Sequence, residues 1–513
     1  SRSVAGCARY IFVILASSVQ GMRSDNAPLN QPLGWGSIDE VLSEPPQNVA
    51  PDSSWCAVIG FWLTWPLNLI QGIFGGLCAC IYRSWSFSNC CCTIYDSVVK
   101  GRPCYMAWVW WRYFIGALVA LVRFGRSRLA LFIWEKEACG GGEYFWQGEG
   151  IWATSYAVNS EIMQSQQDRT TAFACIRACV PDLFASGLLI FLPCAPQWAS
   201  IRAALHTTLL DWDRGSYKDR LQELPQKIRE AWPAPKLEDL NDKALLQRTV
   251  CKSILFMVFG VWITDDEAEV LRGWRTNASI FVLPRIVQRI MFNRGINKVK
   301  TLRKKTVEII ERHGLQDLFV TMNASLPSEY RREPIVRLCD EIMYVIGFAG
   351  IGGSCACVES VSQFIQLKTG EVPQDKVDFA KYPAVADMVA AYKANPENYI
   401  KETARLDPPV TSATSVVKQD MLVEMGFTGK SLFIAAGFLR QYTLSLANRD
   451  PTVFENPSLF DPTRPSLERA LTWNGEISKG EQAYPRLCPG RYLSLQVVQA
   501  IMDHGISSIL VTP

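Results

Sequence analysis

The chain has 513 residues and a formal net charge of +3, from 52 basic and 49 acidic side chains, so it offers no electrostatic footprint for nucleic acid. Its 17 cysteines are odd in number and irregularly spaced, with the run Cys90-Cys91-Cys92 among them, which excludes the disulfide framework of a small secreted domain. The 3 histidines, His206, His313 and His504, lie far apart in sequence and argue against a three-histidine metal centre or a haem held by two histidines.

In chain order, the first residue is Ser1 rather than Met, so a processed or shortened N-terminus is expected. The stretch "YIFVILASS" (10–18) is too short to span a bilayer; it reads as the apolar part of a targeting peptide or as a short buried segment. Residues 53–82 carry no charge and are long enough to cross a hydrocarbon core, with Pro66 and the glycines at 72, 75 and 76 predicting a kinked or re-entrant path. A second apolar stretch, 105–122, has Arg112 near its middle and is rich in Trp and Tyr, which places it at the interface or against the first stretch. Arg123, Arg126 and Arg128 follow, suited to lipid headgroups; a buried helical hairpin is the soluble alternative. From "EACGGGEYF" (137–145) the composition becomes that of an ordinary globular domain. The expected organisation is an N-terminal extension (1–52), hydrophobic segments embedded in or lying on a membrane (53–138), and a globular domain (139–513) with Gly140-Gly141-Gly142 as the joint. Helical periodicity dominates after residue 165 and strand-like runs gather near 410–440, so the fold class is mainly α with small β-sheets.

Three stretches of the globular part carry chemistry. In "EPIVRLCDEIMYVIGFAGIGGSCACVESV" (333–361), Pro334 suits the first turn of a helix, and Leu338, Ile342, Val345, Ala349 and Gly352 recur on one apolar face. Its "AGIGGS" is a poor nucleotide loop because it lies inside a helical pattern rather than after a strand. In "YIKETARLDPPV" (399–410), Glu402 and Arg405 stand three apart and share a helix face, and Pro408 and Pro409 stop the helix. A proline-punctuated coil follows (446–465); Arg464 at its end is the expected anchor reaching back to Glu402. Last comes "AYPRLCPGR" (483–491). Cys488 has no neighbouring cysteine, Cys357 being the previous one, so neither a disulfide nor a zinc site suits it. One thiolate in a Pro/Gly loop leading into a helix suits the axial ligation of a haem iron.

The E-x-x-R of Glu402 and Arg405, the "FDPTR" ending at Arg464 and the late "RLCPG" occur in the order of the cytochrome P-450 haem-thiolate proteins, and "QWASIR" (197–202) resembles that family's W-x-x-x-R. The resemblance implies the P-450-like fold over 139–513 and one haem b on Cys488, with Gly490 beside the ligand. It also implies that Trp198, Arg202 and Arg486 contact the haem propionates, while Glu402, Arg405 and Arg464 have a structural task. Around the thiolate, "GEQAYPRLCPG" lacks the phenylalanine and first glycine of ordinary members. In the central helix, Gly352, Gly353 and Ser354 stand where oxygen-activating members carry an acid and an alcohol. Without a carboxyl group there, proton delivery to bound oxygen is hard to arrange.

Both departures resemble the plant-type fatty acid hydroperoxide branch: allene oxide synthase, hydroperoxide lyase, divinyl ether synthase and epoxyalcohol synthase. "FAGIGG" (348–353) resembles its F-N-x-x-G-G, and Trp473, Asn474 and Gly475, with Cys488, Pro489, Gly490 and the basic Arg486 and Arg491, resemble its cysteine region. One place differs: Ala349 occupies the position of that branch's catalytic Asn, and an alanine cannot hydrogen-bond a peroxide. The distal positions expected over the haem are therefore Ala349, Gly352, Gly353 and Ser354, with Phe348, Ala349 and Ile351 forming an apolar wall for an acyl chain.

The resemblance implies a membrane-bound enzyme of a lipid hydroperoxide or other fatty acyl ligand, in the plastid or the endoplasmic reticulum, that needs neither O2 nor a reductase. Two other readings stand beside it. One is a P-450-like structural or haem-carrying subunit of a larger membrane complex; the other is a conventional monooxygenase.

Overall fold

The computed structural model describes residues 127–138, 142–147, 150–165, 196–211, 215–278, 301–302, 304–333, 346–416, 421–425, 430–434 and 439–507, with isolated positions at 298, 335, 338 and 342. The targeting stretch (10–18) and the apolar stretches at 53–82 and 105–122 lie outside them, and so does the membrane reading. Among the described residues no helix is long and apolar enough to cross a membrane.

A core of packed helices organises the chain. The Lys243–Phe259 helix is started by Asp242, whose carboxylate accepts the amides of Ala244 and Leu245 at 2.9 and 3.1 Å. It stops at Gly260, whose φ of +75° is the left-handed cap an L side chain resists. Its final turns are buried on every face, from Val250 to Phe259 save Lys252, because it is surrounded rather than docked by one stripe. Around it pack the helices Gly215–Ala231, Gly352–Ile365 and Arg491–Gly505. The Pro396–Leu406 helix lies against the last two of these. This mainly helical body is what the periodicity after residue 165 leads one to expect.

The sheets are small. Strands β1 (Tyr144–Gln147), β2 (Gly150–Ala153), β3 (Ser412–Val416) and β6 (Leu439–Thr443) form one sheet in the order β1-β2-β6-β3. The β2/β6 pair is parallel and the other two antiparallel, and a separate hairpin joins β4 (Met421–Met425) to β5 (Lys430–Ile434). Strands β3 to β6 fall where strand-like runs were expected. The β1/β2 hairpin was not expected; it uses only four residues on each strand, too few for an alternating pattern to stand out.

The helix Arg128–Ala138, grouped in the sequence with the hydrophobic segments, packs on this body. Leu129, Ala130, Leu131 and Phe132 are buried, and the Phe132 ring lies 5.2 Å from that of Trp152 in β2. The globular unit thus extends through Ser127, upstream of the expected boundary at residue 139. Residues 140 and 141 of the glycine joint lie outside the described residues.

The central segment departs from a uniform helix. Residues Ile346–Ile351 form a π-turn that passes into the regular helix Gly352–Ile365. A π-turn adds a residue per turn and shifts the phase of every face beyond it. Leu338 and Ile342 are buried as the expected stripe requires, whereas Ala349 is exposed. Ile351, expected in the ligand wall, is instead buried completely in the core. Both corrections have that one cause. The side chains of Phe348 and Val345 lie outside the described residues.

Candidate functional site

The cysteine loop is held from three sides. The Cys488 amide donates to the carbonyl of Trp473 at 2.8 Å, and the Asn474 side-chain amide donates to the carbonyl of Arg486 at 2.8 Å. Asn474 sits at φ +65°, which asparagine tolerates better than most residues, and its carbonyl oxygen accepts from Tyr442 of β6 at 2.6 Å. Gly475, at φ +151°, lies under the Tyr484 ring, where an added Cβ would come within 2.5 Å of a ring carbon. This position requires glycine. Tyr484 is itself fixed, its hydroxyl donating to the buried Glu476 at 2.8 Å and meeting Ser160 at 2.8 Å. The segment Trp473-Asn474-Gly475 is therefore the bed on which the cysteine loop rests.

Of the described cysteines, Cys251, Cys355 and Cys357 are buried and Cys488 alone is partly open. Burial pushes the Cys357 thiol up to about 12, far from the thiolate state a metal ligand needs. Burial also raises the Cys488 thiol; the Gly490 amide and the charges of Arg202 and Arg491 pull it down, and Glu481 opposes them. An iron bound there would favour the thiolate further. Among the described residues no cluster of three or more His, Cys, Asp and Glu side chains could hold a metal ion.

Glu402, Arg405 and Arg464 are brought together in the interior. Arg405 donates to both Glu402 oxygens, at 2.7 and 2.8 Å, with both side chains fully buried. Its remaining donors go to the carbonyls of Asn448 (2.7 Å) and Pro457 (2.9 Å). Arg464 lies 3.5 Å from Glu402 and donates to the carbonyls of Glu455 and Leu459. The Asp461 amide donates to Glu402 at 2.9 Å. Two guanidinium forks around one carboxylate thus collect the carbonyls of an irregular coil, groups that would otherwise be buried without partners. Phe460 completes the anchor, its ring 4.9 Å from Tyr399 and 5.7 Å from Phe364 of the central helix.

Trp198, Arg202 and Arg486 also converge. The guanidinium carbons of Arg202 and Arg486 stand 5.3 and 5.0 Å from the Trp198 ring centre. Arg202 donates to the Leu487 carbonyl at 2.5 Å and pairs with Glu481 at 3.0 Å. Arg491 reaches the same carboxylate at 3.3 Å, and His206 stands 3.5 Å from it. Glu481 and Arg491 were not assigned these roles from the sequence. No local pattern could supply the first of them, since Glu481 and Arg202 are 279 residues apart.

The π-turn and the start of the regular helix after it carry four glycines, at 347, 350, 352 and 353. An added Cβ at Gly350, Gly352, Gly353 or Gly490 would find no atom within 4 Å, so both the central helix and the cysteine loop border open space. Ser354, the one hydroxyl expected there, is buried and donates to Ser494 at 3.1 Å. That bond ties the central helix to the helix following Cys488 and takes the hydroxyl out of distal chemistry. Ala349 is exposed and brings only a methyl group.

These residues fit a haem: one thiol on a braced loop, open space flanked by glycines, and basic side chains stacked on Trp198 near the loop. Cys488 would hold the iron and Gly490 would let the ring approach; of the two arginines on Trp198, Arg202 is turned toward the loop.

The sequence model of the cytochrome P-450 family matches residues 397–508, which contain Glu402, Arg405, Arg464 and Cys488. Among solved structures, the chain is similar to the epothilone D-bound cytochrome P-450epoK, at 15% identity and a TM-score of 0.53 over 73% of this chain and 88% of that one. It is also similar to CYP154A1 from Streptomyces coelicolor A3(2), at 12% identity and a TM-score of 0.51 over 72% and 88%. A third is the Tepidiphilus thermophilus P-450 haem domain, at 13% identity and a TM-score of 0.50 over 75% and 87%. A comparison with curated proteins finds no match. The fold is that of the cytochromes P-450, and residues 397–508 match that family's sequence model.

Proposed function

We propose that this chain, with its cytochrome P-450 fold, is a haem b-thiolate enzyme that rearranges or dehydrates a lipid hydroperoxide. The observation that carries the reading is the distal side. Gly352 and Gly353 supply no acid, and the Ser354 hydroxyl is spent on Ser494 at 3.1 Å. A site that must protonate bound O2 needs a positioned donor. A hydroperoxide brings its O–O bond ready-made, and isomerisation to an epoxyalcohol or loss of water to an allene oxide is redox-neutral overall. Neither O2 nor a reductase is then required.

A haem on Cys488 supplies an iron made electron-rich by the thiolate, the property that favours O–O cleavage. The chain's own residues hold and shape the site around it. The Trp473 carbonyl and the Asn474 amide brace the loop, and the Gly490 amide bonds the sulfur. The glycines of the π-turn leave room for an acyl chain, and the Ala349 methyl presents an apolar surface to it. With no hydrogen-bonding group at Ala349, the substrate is oriented by shape alone, so product selectivity is low. The uncharged stretch at 53–82 would bring the domain to the bilayer that contains such substrates, in the plastid by resemblance.

The test uses the full-length chain in detergent. Haem should co-purify, and its ferrous carbon-monoxide spectrum should report thiolate ligation that Cys488→Ala abolishes. An 18-carbon fatty acid hydroperoxide should be consumed under argon without NADPH, and Ala349→Asn should shift the product ratio. Product formation that requires O2 and a reductant would overturn the hydroperoxide reading in favour of a monooxygenase. Absence of both haem and turnover would leave a P-450-like structural subunit of a membrane complex.

A further inference from the structure

The carboxylate of Glu481 stands where three cationic or ionisable side chains meet, and two of them continue to the backbone of the ligand loop. Arg202 donates through Nε to Glu481 at 3.2 Å and through Nη2 to the Leu487 carbonyl at 2.5 Å. Arg491 lies 3.3 Å from Glu481 and donates to the Cys488 carbonyl at 3.0 Å. His206 faces the same carboxylate at 3.5 Å. The two carbonyls belong to the cysteine and to the residue before it. The arginines come from different helices, Arg202 from Pro196–Leu209 and Arg491 from the first turn of Arg491–Gly505.

From this geometry we propose that Glu481 is a positioning residue for the thiolate loop: it holds Arg202 and Arg491 against the Leu487 and Cys488 carbonyls, and its charge offsets theirs beside the sulfur. The proposal rests on the haem-thiolate reading for its electronic part, while its mechanical part concerns the loop itself. Arg202 is stacked on Trp198 and about nine-tenths buried, and Arg491 is mostly buried, so each cation is screened little by water. Without the carboxylate, two guanidinium groups would repel each other across the loop and draw electron density from the ligand. An iron held there would be reduced more readily, because a more positive surrounding stabilises the state with the extra electron.

Glu481→Gln keeps an acceptor and removes the charge, Glu481→Asp keeps the charge with a shorter reach, and Arg491→Gln removes one cation. In full-length holoprotein, the ferric–ferrous potential should rise in Glu481→Gln by about tenfold in the reduction equilibrium, or about 59 mV for one electron. It should fall in Arg491→Gln and stay near wild type in Glu481→Asp. A merely structural role would not order the three variants by charge. Independently of haem, hydrogen exchange at the Cys488 amide, which is bonded to Trp473, should quicken in Glu481→Gln and less in Glu481→Asp. Thiolate-ligated wild type with potentials unmoved by any of the three substitutions would overturn the proposal. Unchanged Cys488 amide protection in Glu481→Gln would overturn it too, whether or not haem is bound. Wild type that retains no haem would instead overturn the function proposed above, leaving the exchange measurement to decide on Glu481.

Discussion

The cysteine loop and the π-turn each border open space, yet they are built on opposite plans. Around Cys488 the loop is tied by side chains and backbone: Trp473 and Asn474 hold the backbone, and Arg202 and Arg491 hold two carbonyls against Glu481. Behind that loop, Glu402 and the two arginines gather the coil between Asn448 and Arg464. The π-turn instead offers glycines and the Ala349 methyl, and the hydroxyl of Ser354 in the helix after it is bonded to Ser494. A ligand atom must be placed to within a fraction of an ångström, and networks that satisfy every buried donor do this. A surface that has only to admit an apolar chain needs space. In the function proposed above, the first would hold the cofactor and the second would receive the substrate.

The largest effect is expected where the first plan is most concentrated. Arg405→Ala would leave the Glu402 carboxylate buried with half its partners gone and the Asn448 and Pro457 carbonyls without donors. Removing one member of a buried charge set costs about 3–5 kcal/mol, a large share of the stability of an ordinary domain. Equilibrium denaturation should show such a loss, or the variant should fail to accumulate as folded protein. Arg405→Lys should recover little, because an ammonium cannot bond both Glu402 oxygens and the coil together. A stability within 1 kcal/mol of wild type, on the order of a surface pair's worth, would break the contrast drawn above.

This plan was legible in the sequence to the extent that it rests on short spacings. Glu402 and Arg405 share a helix face at three residues' separation, and the proline-rich coil advertised its need for an anchor such as Arg464. The lone Cys488 was legible because its chemistry is narrow. The distal side was misread in part, because Leu338, Ile342 and Ala349 fit one helical face only if the turn stays regular. At the π-turn Ile346–Ile351, Ile351 is buried and Ala349 is exposed. Two glycines within that turn were visible, but their effect on phase depends on packing that no local pattern encodes. Glu481 was invisible for a related reason: its meaning comes from Arg202, a long way back along the chain.

Asp407 ties the Pro396–Leu406 helix to the central helix and gives a smaller effect with a definite sign. It follows the Pro396–Leu406 helix, and its carboxylate accepts from Ser360 of the central helix at 2.6 Å. Burial raises it to about 6; Ser360 and the charge of Arg449 act in the other direction, and Glu371 and Glu359 reinforce the rise. A carboxyl group whose pKa is raised by folding contributes stability below its unfolded value, near 4, and loses it as pH climbs through the folded value. Wild type should therefore lose stability relative to Asp407→Asn between about pH 4 and pH 6, by about 1–3 kcal/mol, with the difference level above about pH 7. Paired denaturation curves across that range measure it. A flat difference would mean that Asp407 is solvated, and that the central helix and the anchor are less tightly joined than Ser360 and Asp407 indicate.

The smallest effect bears on the open space itself. Gly353 is the second residue of the regular part of the central helix, and a Cβ there would meet no atom within 4 Å. Gly353→Ala should therefore stabilise the protein without haem by about 0.4–1 kcal/mol, since alanine loses less backbone freedom on folding and the position needs no positive φ. With haem bound the sign should reverse if the space beside Gly353 is where the ring lies, because the methyl group then displaces a contact of the cofactor. Haem affinity would fall by severalfold, and the stability gained by the haem-free variant would vanish in the loaded one. Thermal denaturation with and without haem reads both numbers on one pair of proteins. Equal stabilisation in both states would put the cofactor elsewhere and reduce Gly353 to a helix position that happens to lack a side chain. A reversal would show that the glycines of the distal side keep room for a ring, as the network around Cys488 keeps its ligand in place.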